Sequence, residues 1–236
     1  MPSPGQSSVY ETDDLSIRPF EGIPHHRLPY DCSMLELIEF DERGLVPCIA
    51  QDADSGEVLT LAYANAEALK LTVETGELHF FSRSRGELWR KGEESGHVLK
   101  LRQLRIDCDG DAVLALVEPA GPACHTGERS CFYRELEGGE PEPVVAEALA
   151  TLQRTLRSRA AERPEGSYTV ALLDDPKLTG EKVEEEAEEV VRAAREESDE
   201  RVAEEAADLL YHLSVLLASR EVSQAAVMEV LNGRRS

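Results

Sequence analysis

The residues Asp107-Cys108-Asp109-Gly110-Asp111 put three carboxylates within five positions. Groups so close repel one another unless a cation sits among them, and hard oxygen ligands suit Mg²⁺ or Ca²⁺. The run ends a segment that reads as a strand. If the extended backbone persists, alternation turns the three aspartates to one face and Cys108 to the other. An acidic turn without an ion is the plain alternative. A calcium loop of the EF-hand kind fails, because Ala112 stands where that loop needs glycine and residues 113–117 form a β-type run. Further on, Cys124-His125-Thr126-Gly127 is followed by Cys131. Cys124 and Cys131 could hold Zn²⁺ with Cys108 as a third thiolate, leaving a fourth position open as a catalytic zinc requires. Buried or free thiols are the other reading. Because Cys108 would face away from its neighbouring aspartates, two separate metal sites are expected. Cys32 and Cys48 have no partner nearby and read as ordinary thiols.

A net charge of −22 makes any phosphorylated ligand depend on a local basic patch or on bound cations. One patch stands out: Ser82-Arg83-Ser84-Arg85, then Arg90-Lys91 and Ser95, place basic residues among Ser and Gly in an otherwise acidic chain. Downstream, carboxylates recur in pairs. Glu186 and Glu189 lie about 60° apart on a helical wheel, on one flank of the stripe Val183, Ala187, Val190, Val191 and Ala194. Glu205 and Asp208 repeat that spacing beside Val202, Ala206, Leu209, Leu210, Leu213 and Leu217, a stripe expected to be buried. Two such helices packed antiparallel present four carboxylates to one cavity, a geometry that binds Mg²⁺ and through it a polyphosphate. Glu184, Glu185 and Glu188 read as solvated, and Tyr211 and His212 receive no role.

These groups need elements to hold them. Residues 45–51, 58–63, 79–82, 98–108 and 112–118 read as strands, and residues 65–75 as a helix with Asn65 as N-cap and Gly76 past its end. Apolar spacing near 3.6 then predicts helices over 144–159, 178–197 and 200–219, with a shorter one over 223–231. The organisation expected is a flexible, Pro-containing extension (1–30), an α+β domain (31–136), a Gly/Pro linker (137–143) and an all-α domain (144–236). No apolar stretch approaches the ~18 residues of a membrane span, and the N-terminus lacks the basic and apolar regions of a secretory signal. Both halves are acidic, which disfavours nucleic acid. The expectation is a soluble, cytoplasmic protein with neither membrane nor nucleic acid as partner.

The runs RSRGELWRKGEESGH, DCDGD and GPACHTGERSCFYR, in that order, resemble phosphoribosyl-AMP cyclohydrolase, the histidine-biosynthesis enzyme that opens the adenine ring, over roughly residues 35–134. The resemblance implies Zn²⁺ on Cys108, Cys124 and Cys131 and Mg²⁺ on Asp107, Asp109 and Asp111. It also implies a homodimer in which the zinc is shared, the first cysteine coming from the partner chain. The E-x-x-E…E-x-x-D pattern, with Ser167-Tyr168-Thr169 before it and DLLYHLSVLL at its end, resembles phosphoribosyl-ATP pyrophosphatase, of the all-α, MazG-like nucleotide pyrophosphatases, over roughly residues 144–231. Relatives usually carry Lys and Gly where this chain has Glu181 and Glu184; Lys182 remains for phosphate contact. Together the halves resemble the bifunctional histidine-pathway enzyme.

The reactions this resemblance implies run in sequence. Mg²⁺ on Glu186, Glu189, Glu205 and Asp208 would neutralise the triphosphate while water cleaves phosphoribosyl-ATP to phosphoribosyl-AMP and pyrophosphate. The zinc site would then hydrolyse the N1–C6 bond of the adenine. His97 is the chosen proton donor to the departing nitrogen, and His125 either a second candidate or an orienter of the cysteine loop. Two other readings compete. One is a nucleotide house-cleaning pyrophosphatase fused to another zinc amidohydrolase, although the H-x-E and P-C-x-x-C motifs of deaminases are missing. The other is a zinc-stapled, non-enzymatic dimerisation module, for which the Arg/Ser patch would have no use.

Overall fold

Burial alternates along β1 (Val46–Asp52), where Val46, Cys48, Ala50 and Asp52 turn inward, as a strand with one face on a core must. The computed structural model describes residues 32–138, 142 and 144–234; the expected extension (1–30) and residues 139–141 and 143 of the expected linker lie outside these. β1 pairs antiparallel with β2 (Val58–Ala64) and parallel with β6 (Val113–Pro119), which pairs antiparallel with β5 (Leu99–Ile106). The sheet order is therefore β2-β1-β6-β5. A hairpin of β3 (His79–Ser82) and β4 (Glu87–Arg90) forms a second sheet.

Helix α1 (Ala66–Thr75) begins where Asn65 accepts the Ala68 N–H at 2.8 Å. It ends at Gly76, whose φ of 69° is the left-handed conformation that glycine adopts without a Cβ penalty. Phe80, Leu59, Leu69, Leu78 and Leu99 are fully buried and join sheet, hairpin and helix into one core. The four-residue β4 has no readable period of its own; Trp89 attaches it by packing on Phe80, with ring centroids 5.2 Å apart.

The second half is helical: α2 (Ala148–Glu162), α3 (Tyr168–Asp174), α4 (Pro176–Glu196), α5 (Asp199–Ser219) and α6 (Gln224–Gly233). Local signals set the starts. Ser167, Asp175, Ser198 and Ser223 each accept a backbone N–H of the first turn, and Pro176 occupies the first helical position, where no N–H is needed. At seven residues α3 is too short for periodicity to reveal, and the sequence reading passed over it. An α+β half followed by a helical half is thus the architecture, and among the described residues no helix is long and apolar enough to cross a membrane.

Burial on α4 and α5 corrects the expected stripes. On α4 the buried residues are Thr179, Glu186 and Ala193, while Val191 is 47% exposed. On α5 they are Glu205, His212 and Val215, while Leu210 and Leu213 are exposed. The helices are rotated so that the carboxylate flank, rather than the centre of the apolar stripe, lies deepest.

Candidate functional site

Asp107, Asp109 and Asp111 do converge, with carboxylate oxygens within 4.8 Å of one another, but not by strand alternation. Strand β5 stops at Ile106 and the chain turns. Asp107 Oδ1 accepts the Ala112 N–H at 3.1 Å and the Asp107 N–H donates to the Ala112 carbonyl at 3.2 Å, closing a loop around Gly110. Gly110 has φ 83°, and a Cβ there would stand 2.6 Å from the Leu37 carbonyl, so no other residue fits without a backbone shift. The Ala112 N–H holds the Asp107 carboxyl below its ordinary pKa, while the Asp109 charge pushes Asp111 up. The expectation that Cys108 faces away from the aspartates fails for the same reason: in the turn its Sγ lies 3.8 Å from Asp109 Oδ1.

Cys124 and Cys131 come close to each other across their loop, without Cys108: among the described residues no three thiols gather within ligand range. Cys124 is buried, and the Thr126 hydroxyl, 3.1 Å from its Sγ, pulls the thiol pKa down toward a thiolate; His125 Nδ1 lies 3.9 Å away. Partial desolvation raises the Cys131 thiol, against the Thr60 hydroxyl and the Lys91 charge. The loop is anchored by residues the sequence reading missed. Arg129 ion-pairs with Asp52 and Glu57, the Ser130 hydroxyl donates to the Val58 carbonyl at 2.7 Å, and the Cys131 N–H donates to Leu59 at 2.8 Å. Arg154 of α2 lies 3.8 Å from the same Glu57, so the helical half touches the anchor of the cysteine loop.

His97 is wedged between two glycines. A Cβ on Gly92 would meet its carbonyl at 2.4 Å, and one on Gly121 would meet its ring at 2.6 Å. Since Gly121 precedes Cys124 by three residues, the imidazole sits at the entry of the cysteine loop. The basic patch divides. Ser82, Arg83, Ser84 and Arg85 line a cavity of about 420 Å³ with Tyr63, Phe81 and Trp89, and the Arg83 guanidinium stacks 3.8 Å over the Tyr63 ring. Arg85 also pairs with Glu87 at 3.1 Å. Arg90 lies at the far end of β4, bound to Glu77 at 2.7 Å, and Lys91 stands near Cys131. The Ser95 hydroxyl accepts the His97 N–H at 3.2 Å. Strand β2 carries both surfaces, with Leu59 and Thr60 against Cys131 and residues 61–63 in the cavity wall.

On the helices, Glu186 of α4 meets Glu205 and Asp208 of α5, with carboxylate oxygens again within 4.8 Å. Glu186 and Glu205 are 8% and 5% exposed, whereas Asp208 is open to solvent. Burial raises the Glu205 pKa, with Glu189 and Glu186 adding to it and Arg201 opposing. Glu189 sits beside Glu205 but outside the three-carboxylate group, its oxygen bound to Arg192 at 3.1 Å. Lys182 is paired with Glu185 at 2.5 Å and stands close to Glu186 and Tyr168. Behind the carboxylates lies a network the sequence reading left without a role. His212 Nδ1 is 3.0 Å from the Asp208 carbonyl and 3.5 Å from Glu186 Oε1, and its Nε2 is 3.2 Å from the Tyr168 hydroxyl; the Thr169 and Tyr211 hydroxyls are bonded at 2.8 Å. The signal was available in Ser167-Tyr168-Thr169 and Tyr211-His212, but one sequence does not show that they face each other.

Comparison with known proteins adds that residues 60–133 match the phosphoribosyl-AMP cyclohydrolase family and residues 149–235 the phosphoribosyl-ATP pyrophosphohydrolase family. The chain is similar to the histidine biosynthesis bifunctional protein HisIE of Halalkalibacterium halodurans, 48% identical over 84% of this chain and 95% of that one. It is also similar to that of Thermus thermophilus, 52% identical over 78% and 86%, and to that of Pyrococcus furiosus, 46% identical over 86% and 97%.

Proposed function

The chain belongs to the bifunctional phosphoribosyl-AMP cyclohydrolase and phosphoribosyl-ATP pyrophosphohydrolase family of histidine biosynthesis, and from that premise we propose that its two activities run in sequence on two separate metal sites. Both activities are hydrolytic, so the non-enzymatic reading falls away. The observation that carries the proposal is the meeting of Glu186, Glu205 and Asp208 across α4 and α5, two of them buried. Buried carboxylates with no cation between them are costly, and the raised Glu205 pKa expresses that cost; this donor set fits Mg²⁺. Glu189 lies near enough to join, and Lys182 supplies a positive charge for the phosphate chain.

In the first half, Cys124 and Cys131 fit two of three zinc thiolates, and the third would be the partner's Cys108 in a homodimer. Support comes from the gap within one chain, where Cys108 is exposed and does not join the other two. The Asp107–Asp111 turn fits a second Mg²⁺. When bound, zinc supplies a water of lowered pKa and magnesium neutralises phosphate charge. The chain's residues do the rest. Ser82, Arg83, Ser84 and Arg85 grip the phosphoribosyl phosphates beside the Tyr63 and Trp89 rings, and Lys91 brings positive charge to the cysteine loop. His97, fixed between Gly92 and Gly121, hands a proton to the nitrogen that departs as the N1–C6 bond breaks. His125 orients the cysteine loop from its place beside Cys124. The reading places this work in the cytoplasm, where thiols such as Cys108, Cys124 and Cys131 stay reduced and able to bind a metal.

The test supplies purified protein with phosphoribosyl-ATP and Mg²⁺ and follows pyrophosphate and the ring-opened nucleotide. Both should form, Mg²⁺ withdrawal should stop pyrophosphate release, and zinc removal should stop ring opening from added phosphoribosyl-AMP. Ring opening that survives complete zinc removal would refute the zinc assignment.

A further inference from the structure

His212 is the buried histidine among the described residues, 6% exposed, and its two ring nitrogens face chemically different partners. Nδ1 lies between the Asp208 carbonyl (3.0 Å) and Glu186 Oε1 (3.5 Å), both acceptors, whereas Nε2 meets the Tyr168 hydroxyl at 3.2 Å. A carbonyl oxygen can only accept, so Nδ1 carries the proton and donates to Asp208, and Nε2 accepts the Tyr168 O–H. The Tyr168 ring stands edge-on to the imidazole at 87°, and the Thr169–Tyr211 bond one residue along fixes α3 to α5. Arg201 pairs with Glu205 and Arg192 with Glu189, whereas Glu186 faces this imidazole.

We propose that His212 is a positioning residue of the pyrophosphohydrolase site: anchored by its Nδ1–H on the Asp208 carbonyl, its imidazole edge lies against the Glu186 carboxylate and holds it toward Glu205 and Asp208, while the Tyr168 hydroxyl donates to the Nε2 left free. The proposal rests on reading those carboxylates as a cation site. A neutral imidazole suits the task better than a lysine or arginine, because it steers one carboxylate oxygen without a fixed positive charge that competes with the cation. Such partners of metal ligands set ligand orientation and typically govern metal affinity.

Mn²⁺ binding to the full chain, followed by electron paramagnetic resonance, tests this; ions held by the Asp107–Asp111 turn are common to all variants and cancel. Glu205→Gln should remove the helical site. His212→Phe should weaken it by about tenfold or more and raise the Mg²⁺ concentration needed for pyrophosphate release, with kcat recovering at saturating Mg²⁺. His212→Asn, whose amide N–H reaches the Nδ1 position, should recover most of the affinity, and Tyr168→Phe should cost less than His212→Phe. If Glu205→Gln removes the helical Mn²⁺ site while His212→Phe leaves it intact, the positioning role is wrong and the cation site stands. If Glu205→Gln changes nothing, the site itself is misread and the proposal falls with it. Should His212→Phe not fold, the ¹⁵N shifts of the wild-type ring decide: a protonated Nδ1 supports the proposal, and a proton on Nε2 alone overturns it.

Discussion

Asp107, Asp109 and Asp111 come from a single turn and stand in solvent, whereas Glu186, Glu205 and Asp208 come from two 21-residue helices and bury two of their three carboxylates. In the turn, three charges close in sequence are gathered by local hydrogen bonds and one glycine, and solvent screens their repulsion. On the helices, proximity has to be built. Capping residues set where α4 and α5 begin, tertiary packing sets their rotation, and each buried carboxylate loses hydration. A fold keeps such an arrangement only where something offsets its cost, so the helical group says more about a bound cation than the exposed one. The contrast extends to completeness. The helical carboxylates meet within one chain, but in the first half Cys108 does not reach Cys124 and Cys131.

Substituting ligands in one half while assaying the other breaks or upholds this contrast most forcefully. Glu186→Gln should reduce pyrophosphate release by about 100-fold or more, at least the loss expected when a mere partner of a metal ligand is removed, and leave ring opening of supplied phosphoribosyl-AMP unchanged. Cys124→Ser should do the reverse and lower zinc content. Equal loss of both activities in a folded variant would show that the sites are not separate.

Completeness is tested by mixing. Cys108→Ser and Cys124→Ser chains should each be inactive in ring opening, yet a two-fold dimer made from one of each has one site carrying both lesions and one carrying neither. Random reassortment of equal amounts should restore roughly a quarter of wild-type activity. Heterodimers shown to form without regaining ring opening would mean that the third thiolate does not come from a second chain.

The same contrast explains what could be read in advance. The passage from α+β to helical organisation is legible because the hydrophobic period changes after the Gly/Pro segment, and α1 is legible because Asn65 and Gly76 act within a few residues of themselves. Both carboxylate groups are partly legible for the same reason, since spacings of two and three need only local geometry. What fails depends on distance or on departures from regularity. The turn after Ile106 ends the alternation that would have separated Cys108 from the aspartates. Arg129 finds Asp52 and Glu57 more than seventy positions away, and Tyr168 finds His212 across forty-four, pairings invisible to any window of sequence. The rotation of α4 and α5, which leaves Val191 and Leu210 exposed and Glu205 buried, reverses the usual rule that the apolar stripe goes inside.

That reversal predicts a stability effect of unusual sign. The Glu205 pKa is raised in the folded chain, so the folded state holds the proton more tightly than the unfolded one, and the cation-free protein loses stability as pH climbs from the ordinary carboxylate range through the raised value. Glu205→Gln removes the charge, and Arg201 keeps Glu197 and Glu204 as partners. The variant should therefore melt higher than wild type at neutral pH in chelator, and by more than Glu184→Gln, a change at an exposed position of the same helix pair. Added Mg²⁺ should then raise the wild-type melting temperature by more than that of Glu205→Gln, which keeps only the aspartate turn. A lower melting point for the variant in chelator would mean that the pair with Arg201 outweighs burial.

The smallest effect separates the two constructions at the level of single glycines. Gly110 closes the aspartate turn at φ 83° with the Leu37 carbonyl in the space a Cβ would fill, so that turn depends on its glycine. Gly180 lies inside α4, six residues before Glu186, without a positive φ and with nothing within 4 Å of an added Cβ. A glycine in a helix interior costs about 0.5–1 kcal/mol relative to alanine, because more backbone freedom is lost on folding. Gly180→Ala should therefore stabilise the protein by about that amount in chemical denaturation, with the slope against denaturant unchanged. A loss of stability would show that the small residue serves helix packing or approach of a ligand at that point. The helical site would then share the dependence on a special backbone position that so far distinguishes the turn.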